Sequence, residues 1–171
     1  GKSEMFTYLF DNNKLVIINS DDEIQKNKTQ YYPSIYSFST TDKNADVFIN
    51  NVTANPFVEI STSEVKIKSN LIGLYNASNI IAAITIGNYF KVPLEDIKTA
   101  IESYVPENNR SQLLKKGSNE IILDAYNANP SSMMVALENF LQLEKEHKLI
   151  IIGDMYELGE ESLKEHKAIV N

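Results

Sequence analysis

A change in hydrophobic period between residues 120 and 141 constrains the fold more than any other stretch of the sequence. Residues 121–123 are a short apolar run of the kind that forms a buried strand. From Met133 onward the apolar residues recur at helical spacing, and Ser131 or Ser132 can cap that helix. The polar loop between the two patterns completes a strand–loop–helix unit, which predicts an α/β fold.

The polar loop places several hydrogen-bonding side chains directly after the predicted strand. In an open α/β sheet, ligands bind at the carboxyl ends of the strands. Asp124, Asn127 and Asn129 are therefore candidates for a binding site. Asp and Asn are also ordinary turn and capping residues, so this loop alone leaves a purely structural role open.

Composition and charge narrow the classes of partner. The 171 residues can form one large domain or parts of two. A net charge of −7 argues against nucleic-acid binding, and no apolar run approaches the roughly 20 residues of a membrane span. We therefore expect no nucleic-acid partner and no membrane insertion. The absence of cysteine fits a cytoplasmic protein and excludes thiolate metal sites.

Both ends of the sequence suggest a piece of a longer protein. It begins at Gly1 rather than Met, and it stops within a predicted helix over residues 162–170. We therefore expect further sequence on both sides.

The first part of the chain alternates between two strand patterns. A continuous apolar run at residues 15–18 predicts a buried parallel strand. Alternation over residues 46–68 instead predicts a small antiparallel sheet of half-exposed strands, Val47 and Ile49 included. The predicted elements are a helix over 2–10 and strands at 15–18, 35–38, 57–61 and 64–68, the last two joined as a hairpin.

Two helices follow, and the first begins with asparagines. The first helix opens at Gly73, and Asn76 is a candidate for its N-cap. Asn76 and Asn79 also suit a base or sugar, although capping is the simpler interpretation. Pro93 begins the second helix. The residues predicted to face inward are Ala77, Ile80, Ile81 and Ile84 in the first helix, and Leu94, Ile97, Ile101 and Tyr104 in the second.

The segment 103–109 is the strongest candidate for a domain boundary, since it holds Pro106 and two asparagines. It divides the chain into predicted domains at 1–108 and 109–171. Arg110 follows directly. An arginine after a linker is usually a surface residue, but beside a nucleotide it would clamp phosphate.

A further apolar run at residues 149–152 completes a strand–helix–strand unit, normally a right-handed crossover between parallel strands. If the two strands are neighbours, Asp124 and Asp154 lie on one edge of the sheet. His166 lies on the last predicted helix, where a structural or solvated role is commoner than a catalytic one.

Three motifs together resemble one family, the ATP-dependent Mur ligases. They are Gly73-Leu-Tyr-Asn-Ala-Ser-Asn79, Asp124-Ala-Tyr-Asn-Ala-Asn-Pro130 and Gly153-Asp-Met-Tyr-Glu-Leu-Gly159. They are most similar to the branch that adds D-alanyl-D-alanine to UDP-N-acetylmuramoyl-tripeptide. The resemblance implies the late part of a central ATP-binding domain, with parallel strands, a small antiparallel sheet and helices. The first part of a Rossmann-like C-terminal domain would follow.

The same resemblance implies a nucleotide site. Asn76 and Asn79 match residues on the adenine side, Asp124 matches an acid that contacts the ribose hydroxyls, and Arg110 matches an arginine that reaches the ATP phosphates. Lys2 matches a lysine that the family carbamylates, which makes it an anionic oxygen ligand for Mg²⁺. ATP and Mg²⁺ are the implied cofactors.

The resemblance also implies a reaction centre. Tyr126, Asn127 and Asn129 would face it or the incoming dipeptide, and Lys2, Arg110 and Asn129 are the implied catalytic residues. The sequence departs from the family in two places. Tyr75 stands where His is frequent, and Leu123-Asp124 stands where the family often has two acids.

The implied chemistry is ATP-dependent activation of a carboxylate as an acyl phosphate, followed by attack of an amine. The sequence contains no Gly-x-x-x-x-Gly-Lys-Ser/Thr phosphate loop, so the chain alone is predicted to be inactive. Two alternatives remain: another ligase of the same fold, such as a folylpolyglutamate synthase, and a non-catalytic nucleotide-binding module.

Overall fold

The computed structural model describes residues 2–107 and 109–170, and of Lys2 and Ser3 it describes the backbone alone. The first elements are α1 Lys2–Asp11, β1 Val16–Asn19, α2 Glu23–Thr29, β2 Ile35–Ser39 and β3 Val47–Phe48. The three strands form a parallel sheet in the order β1–β2–β3. The helix and two strands predicted before residue 40 are confirmed.

Strand β3 corrects the prediction that Val47 belongs to the antiparallel sheet. Val47 pairs in parallel with Phe38 of β2. The preceding Asp46 carboxylate accepts hydrogen bonds from the Ser37 N–H at 2.7 Å and the Ser37 Oγ at 2.9 Å. These bonds hold the segment beside β2, so a contact distant in sequence decides the pairing that alternation alone misassigned.

A second sheet is antiparallel, with strands in the order β4–β5–β6. Its strands are β4 Asn51–Ala54, β5 Phe57–Ser61 and β6 Lys66–Ile72. Thr62 closes the turn, since its N–H donates to the Val65 carbonyl at 2.9 Å and its Oγ1 accepts from the Val65 N–H at 3.1 Å. The predicted hairpin is confirmed, with its turn over residues 62–65.

Helix α3 covers both sheets and closes the core. It spans Ala77–Tyr89 after one 3-10 turn, Leu74–Asn76, and α4 Leu94–Ser103 packs beside it. The predicted stripe is confirmed, because Ile80, Ile81 and Ile84 are all buried. The core also contains Phe38, Val47, Ile49, Val58, Ile60, Ile67, Ala77 and Ile97. This packing fixes the start of α3.

Tyr104 was predicted to face inward, and that prediction is wrong. The residue is 51% exposed. Helix α4 ends at Ser103, and Tyr104 takes an extended backbone with φ −70° and ψ 119°. The residue therefore leaves the helical face that carries Ile97.

The second part of the chain contains a hairpin and two helices. The hairpin pairs β7 Gln112–Lys116 with β8 Asn119–Leu123 in antiparallel register. Its two-residue turn begins at Gly117, whose φ of +62° suits glycine at this position. Helices α5 Pro130–Gln142 and α6 Ser162–Val170 follow. Both helices were predicted, whereas β7 was not.

The predicted crossover between parallel strands is wrong. Strand β8 pairs with β7 across a two-residue turn, a partner that the sequence supplies locally. Residues 149–152 form no strand within the described part of the chain, and Leu149 and Ile151 are 80% and 88% exposed. Residues 121–123 are accordingly exposed or half-buried rather than buried.

Between residues 2 and 107 and between 109 and 170, no helix combines the length and the apolar character that crossing a membrane requires.

Candidate functional site

The site begins at a glycine that lets the chain turn into α3. Gly73 has φ +83°, and a β-carbon built on it would lie 2.5 Å from Cε1 of Tyr75 and 3.3 Å from Cγ of Asn139. The next N–H, of Leu74, donates to Oδ1 of Asn139 at 3.3 Å. The Tyr75 ring and helix α5 therefore both approach this backbone, and the site forms where the two parts of the chain meet.

Four polar side chains join across that meeting point. Asn76 Nδ2 donates to the Ile72 carbonyl at 2.8 Å and to Ser111 Oγ at 3.2 Å. Ser111 Oγ shares a short hydrogen bond with the Tyr75 hydroxyl. That hydroxyl donates to Oδ2 of Asp124 at 3.3 Å. The structure thus places the candidate adenine-side residue Asn76 in one network with the candidate ribose ligand Asp124.

The hydrogen bonds of Asn76 show whether its side chain caps α3. Asn76 occupies the N-cap position of α3, yet its side chain makes no capping hydrogen bond. Its amide is used instead by Ile72 and Ser111. Asn79 is exposed and donates from Nδ2 to Oδ1 of Asn76 at 3.5 Å. The predicted N-cap position of Asn76 is therefore confirmed, but its side chain does not cap the helix.

Asp124 lies exposed just after β8, at the end of the hairpin. Besides Tyr75, it receives the Ser111 N–H at 3.4 Å on Oδ1. The next N–H, of Ala125, donates to the Asn109 carbonyl at 2.7 Å. These bonds hold the carboxylate beside residues 109–111 and leave it open to solvent. Asp124 and Asp154 make no direct hydrogen bond in the described structure.

Tyr75 is held in its protonated form. Burial raises the pKa of the Tyr75 hydroxyl, and the negative charge of Asp124 raises it further. The phenol therefore remains a hydrogen-bond donor at neutral pH, which is the state that a carboxylate partner requires.

Arg110 and Tyr126 form a pair next to the network. The guanidinium carbon of Arg110 lies 3.8 Å from the centroid of the exposed Tyr126 ring. This is a cation–π contact, which supports one face of the guanidinium. Among the described residues Arg110 has no hydrogen bond or ion pair, so its N–H groups remain available to an anion.

Asn127 and Asn129 stay within their own loop. Asn127 Oδ1 accepts from the Ala128 N–H at 2.9 Å. Asn129 is the N-cap of α5: its Oδ1 accepts from the Ser132 N–H at 2.9 Å, and its own N–H donates to Ser132 Oγ at 3.3 Å. The cap is therefore Asn129, and the prediction of a serine cap is wrong. The Asn129 Nδ2 makes no hydrogen bond within the described part of the chain.

The third motif is fixed by His166. Its Nε2 accepts from the N–H of Met155, a buried residue, at 3.0 Å, and its Nδ1 lies 2.7 Å from the Ser162 carbonyl. A proton on Nδ1 satisfies both contacts, so the ring links the loop at Met155 to the start of α6. The structural role that we expected for this histidine agrees with these contacts.

Lys2 begins α1, and its side chain lies outside the described residues. Among the residues that are described, no three His, Cys, Asp or Glu side chains converge in a way that could hold a metal ion.

Sequence reasoning missed Ser111 and Asn139. Ser111 is 2% exposed and bonds to three residues of the site. Neither residue belongs to a motif, and their partners are 13 to 65 positions away along the chain. Only the position of Ser111 directly after Arg110 could have drawn attention to it.

Comparison with known proteins matches two family models to the chain. One is described as the Mur ligase middle domain and matches residues 1–87. The other is described as Mur ligase, glutamate ligase domain, and matches residues 109–171.

Several curated relatives share the name UDP-N-acetylmuramoyl-tripeptide–D-alanyl-D-alanine ligase. The protein of that name from Buchnera aphidicola subsp. Baizongia pistaciae is 33% identical over 179 residues, which cover 100% of this chain and 38% of the relative. The Bacillus subtilis protein is 37% identical over 99 residues, covering 57% of this chain and 22% of the relative. The chain thus spans well under half the length of these relatives.

Solved structures are similar over nearly the whole chain. MurF from Acinetobacter baumannii superposes with a TM-score of 0.78 at 27% identity, covering 98% of this chain and 38% of that one. MurF ligase from Thermotoga maritima in complex with ADP superposes with a TM-score of 0.72 at 19% identity, covering 91% of this chain and 37% of that one. At this identity the similarity is one of fold.

Proposed function

The chain belongs to the Mur ligase family, and from that premise we propose that the protein containing it joins D-alanyl-D-alanine to UDP-N-acetylmuramoyl-tripeptide at the expense of ATP. One observation carries the proposal: Asn76 from the first matched region meets Ser111 and Asp124 from the second in one hydrogen-bonded site. The name that the curated relatives share supports the choice of substrates.

The nucleotide would lie across this meeting point. Asn79 would supply its exposed amide and Asn76 its Oδ1 for the adenine, and the exposed Asp124 carboxylate supplies acceptors for the ribose hydroxyls. Arg110, supported by the face of Tyr126, directs free N–H groups toward the phosphates. A planar guanidinium suits this task because it binds phosphate oxygens in pairs.

The reaction proceeds in two steps. A carboxylate oxygen of the tripeptide attacks the γ-phosphorus of ATP, and ADP leaves. The amine of D-alanyl-D-alanine then attacks the acyl carbon, loses a proton and expels inorganic phosphate through a tetrahedral intermediate. Arg110 would offset the charge that develops on the transferred phosphoryl group. Tyr126, Asn127 and the free amide of Asn129 would contact the dipeptide.

Magnesium is proposed for the intact ligase alone. The described residues do not form a metal cage of their own. Magnesium often binds through one or two protein oxygens together with substrate phosphates, so a carbamylated Lys2 could contribute one such oxygen. Lys2→Ala in the intact ligase should depress activity, with partial rescue by added short carboxylates. Full activity in that variant would remove Lys2 from the site.

We further propose that residues 1–108 and 109–171 belong to two domains with residues 103–109 as the hinge. Candidate residues lie on both sides of this segment and already meet in one network, so a movement about the hinge would open or close the site. The substrates are small molecules of the cytoplasm, and we propose that the protein acts there. Nothing in this proposal requires nucleic acid or membrane insertion.

The test uses purified intact ligase and follows phosphate release. We expect release that depends on UDP-N-acetylmuramoyl-tripeptide and D-alanyl-D-alanine together. Glutamate or a single amino acid in place of the dipeptide should give only background. Full activity with glutamate would favour the folylpolyglutamate type, and nucleotide binding without turnover would favour a binding module.

The 171-residue chain alone provides the matched control. It lacks the phosphate-loop motif, so we expect no ATP hydrolysis from it. Magnesium-dependent phosphate release by the pure chain would contradict that expectation.

A further inference from the structure

The Asp124 carboxylate depends on hydrogen bonds from other residues for a defined orientation. It lies exposed after β8, on a hairpin whose residues are nowhere fully buried. Each carboxylate oxygen accepts one protein hydrogen bond, Oδ1 from the Ser111 N–H and Oδ2 from the Tyr75 hydroxyl. The first donor belongs to the neighbouring strand region, whereas the second comes from the turn before α3, on the other part of the chain.

The hydrogen bonds around Tyr75 have one consistent direction. The two Nδ2 hydrogens of Asn76 go to Ile72 and Ser111, so Ser111 Oγ is an acceptor in the second bond. The hydroxyl hydrogen of Ser111 is then free for the Tyr75 oxygen, and the hydroxyl hydrogen of Tyr75 is free for Asp124. Every donor is used once, and the series ends on the carboxylate.

The remaining capacity of Asp124 matches a vicinal diol. An ionised carboxylate has about four acceptor sites, and two are occupied by protein donors. One site on each oxygen remains, and the carboxylate is exposed to solvent. Two adjacent hydroxyl groups, such as those of a ribose, could donate one bond to each oxygen.

We propose that Tyr75 is a positioning residue that orients Asp124 toward the ribose of the bound nucleotide, with Ser111 holding Tyr75 in place. The inference rests on the proposed nucleotide site. It gives Tyr75 a role that needs its hydroxyl, since a ring without one would pack equally well but could not donate to Asp124. Selectivity for ribose over 2′-deoxyribose then depends on a residue that does not touch the sugar.

The experiment compares ATP with 2′-deoxy-ATP in the intact ligase. Wild type should prefer ATP. Tyr75→Phe should raise KM for ATP about threefold to tenfold with kcat within about twofold, the scale of one weakened hydrogen bond to a charged group. It should also reduce the preference for ATP over 2′-deoxy-ATP. Ser111→Ala should likewise raise KM for ATP and reduce the preference for ATP over 2′-deoxy-ATP.

A matched control and a double variant separate positioning from packing. Tyr31→Phe removes the same hydroxyl from a residue that is 91% exposed, and it should leave both nucleotides unaffected. In an Asp124→Asn background, Tyr75→Phe should add less than about twofold, because residues that act through one another are not additive. If Tyr75→Phe lowers the fraction of folded enzyme, kcat falls equally for both nucleotides and their KM ratio is unaffected.

The outcomes distinguish this inference from the proposed function. Impaired ATP use in Asp124→Asn with normal KM and normal sugar preference in Tyr75→Phe would overturn the positioning role and leave the nucleotide site intact. Fully additive effects in the double variant would also overturn it. Normal ATP use in Asp124→Asn would instead refute the nucleotide site itself.

Discussion

The two regions of the chain, residues 2–107 and residues 109–170, differ in how much of their apolar side chains is buried. Within the described residues, every buried apolar side chain except Met155 lies in the first region. There, α3 closes a core over two sheets, and Val58, Ile60 and Ile67 are fully buried. In the second region Leu149 and Ile151 remain largely exposed. Both regions contain apolar runs and amphipathic helices, but the first region removes far more apolar surface from water.

This difference shows what an apolar run needs in order to become a core strand. Burial of apolar surface contributes roughly 25 cal/mol per Å², and the first region gains it because each strand has neighbours and a covering helix. The second region is held by a local hairpin, a capped helix and polar contacts to the first. Fewer of its apolar side chains are buried, so packing contributes less to its stability than to that of the first region.

The largest effect should come from truncating the core of the first region. Ile60→Ala in the 171-residue chain should lower the free energy of unfolding by about 2–5 kcal/mol, the usual loss for a fully buried aliphatic side chain. Ile151→Ala, at an exposed position of the second region, should change it by less than about 0.5 kcal/mol. Urea unfolding of both variants measures the contrast, and equal losses would contradict it.

The next effect tests the contact between the regions. Asp124→Asn keeps the shape of the side chain and removes its charge, so ATP use in the intact ligase should weaken about tenfold or more, since 1.4 kcal/mol is tenfold. The thermal midpoint should hardly change. Steady-state ATP kinetics and a melting curve on one preparation decide the matter. A lowered midpoint with unchanged kinetics would make Asp124 a structural residue.

A smaller effect separates two roles of Asn129 in the second region. Asn129→Ala removes the α5 cap and should destabilise the chain by about 1 kcal/mol. Asn129→Asp retains the capping oxygen but loses the amide donor, so its melting should resemble that of wild type. If Asn129 contacts the dipeptide, both variants should slow the intact ligase. Normal turnover in Asn129→Asp would leave capping as the role of this residue.

The smallest effect depends on pH and lies in the first region. Burial alone would raise the pKa of Asp21, but hydrogen bonds from Ser39, Thr40 and Thr41 outweigh it and lower the pKa from 3.8 to about 2. A lowered pKa supplies stability that is present above pH 3.8 and is lost as pH falls through about 2. The midpoint of Asp21→Asn should lie below that of wild type at neutral pH, and the gap should narrow across that window. A difference in thermal midpoint that stays constant with pH would show that Asp21 ionisation does not contribute to stability.

Prediction from sequence succeeded for elements whose deciding contacts are local in the sequence. The stripe of α3, the hairpin of β5 and β6, and helices α5 and α6 all depend on neighbours within a few residues or on one continuous face. The motif residues Asn76 and Asp124 were also singled out, and the fold brings them into one network.

The failures share one physical cause, which is that the deciding contact lies elsewhere. Val47 joins the parallel sheet through the bonds from Ser37 to Asp46, and residues 121–123 pair with β7 rather than with residues 149–152. Ser111 matters through partners up to 36 positions away. The sequence marked Tyr75 as a departure from the family, but only the structure places its hydroxyl against Asp124.

Gly73 gives the molecule an unusual genetic property. A methyl group there would meet the Tyr75 ring at 2.5 Å and would also crowd Asn139 of α5. The displaced ring would withdraw its hydroxyl from Ser111 and Asp124, on the far side of the junction. A screen for mutants that fail to use nucleotide would therefore recover Gly73 beside Asp124, although Gly73 has no side chain to offer a ligand.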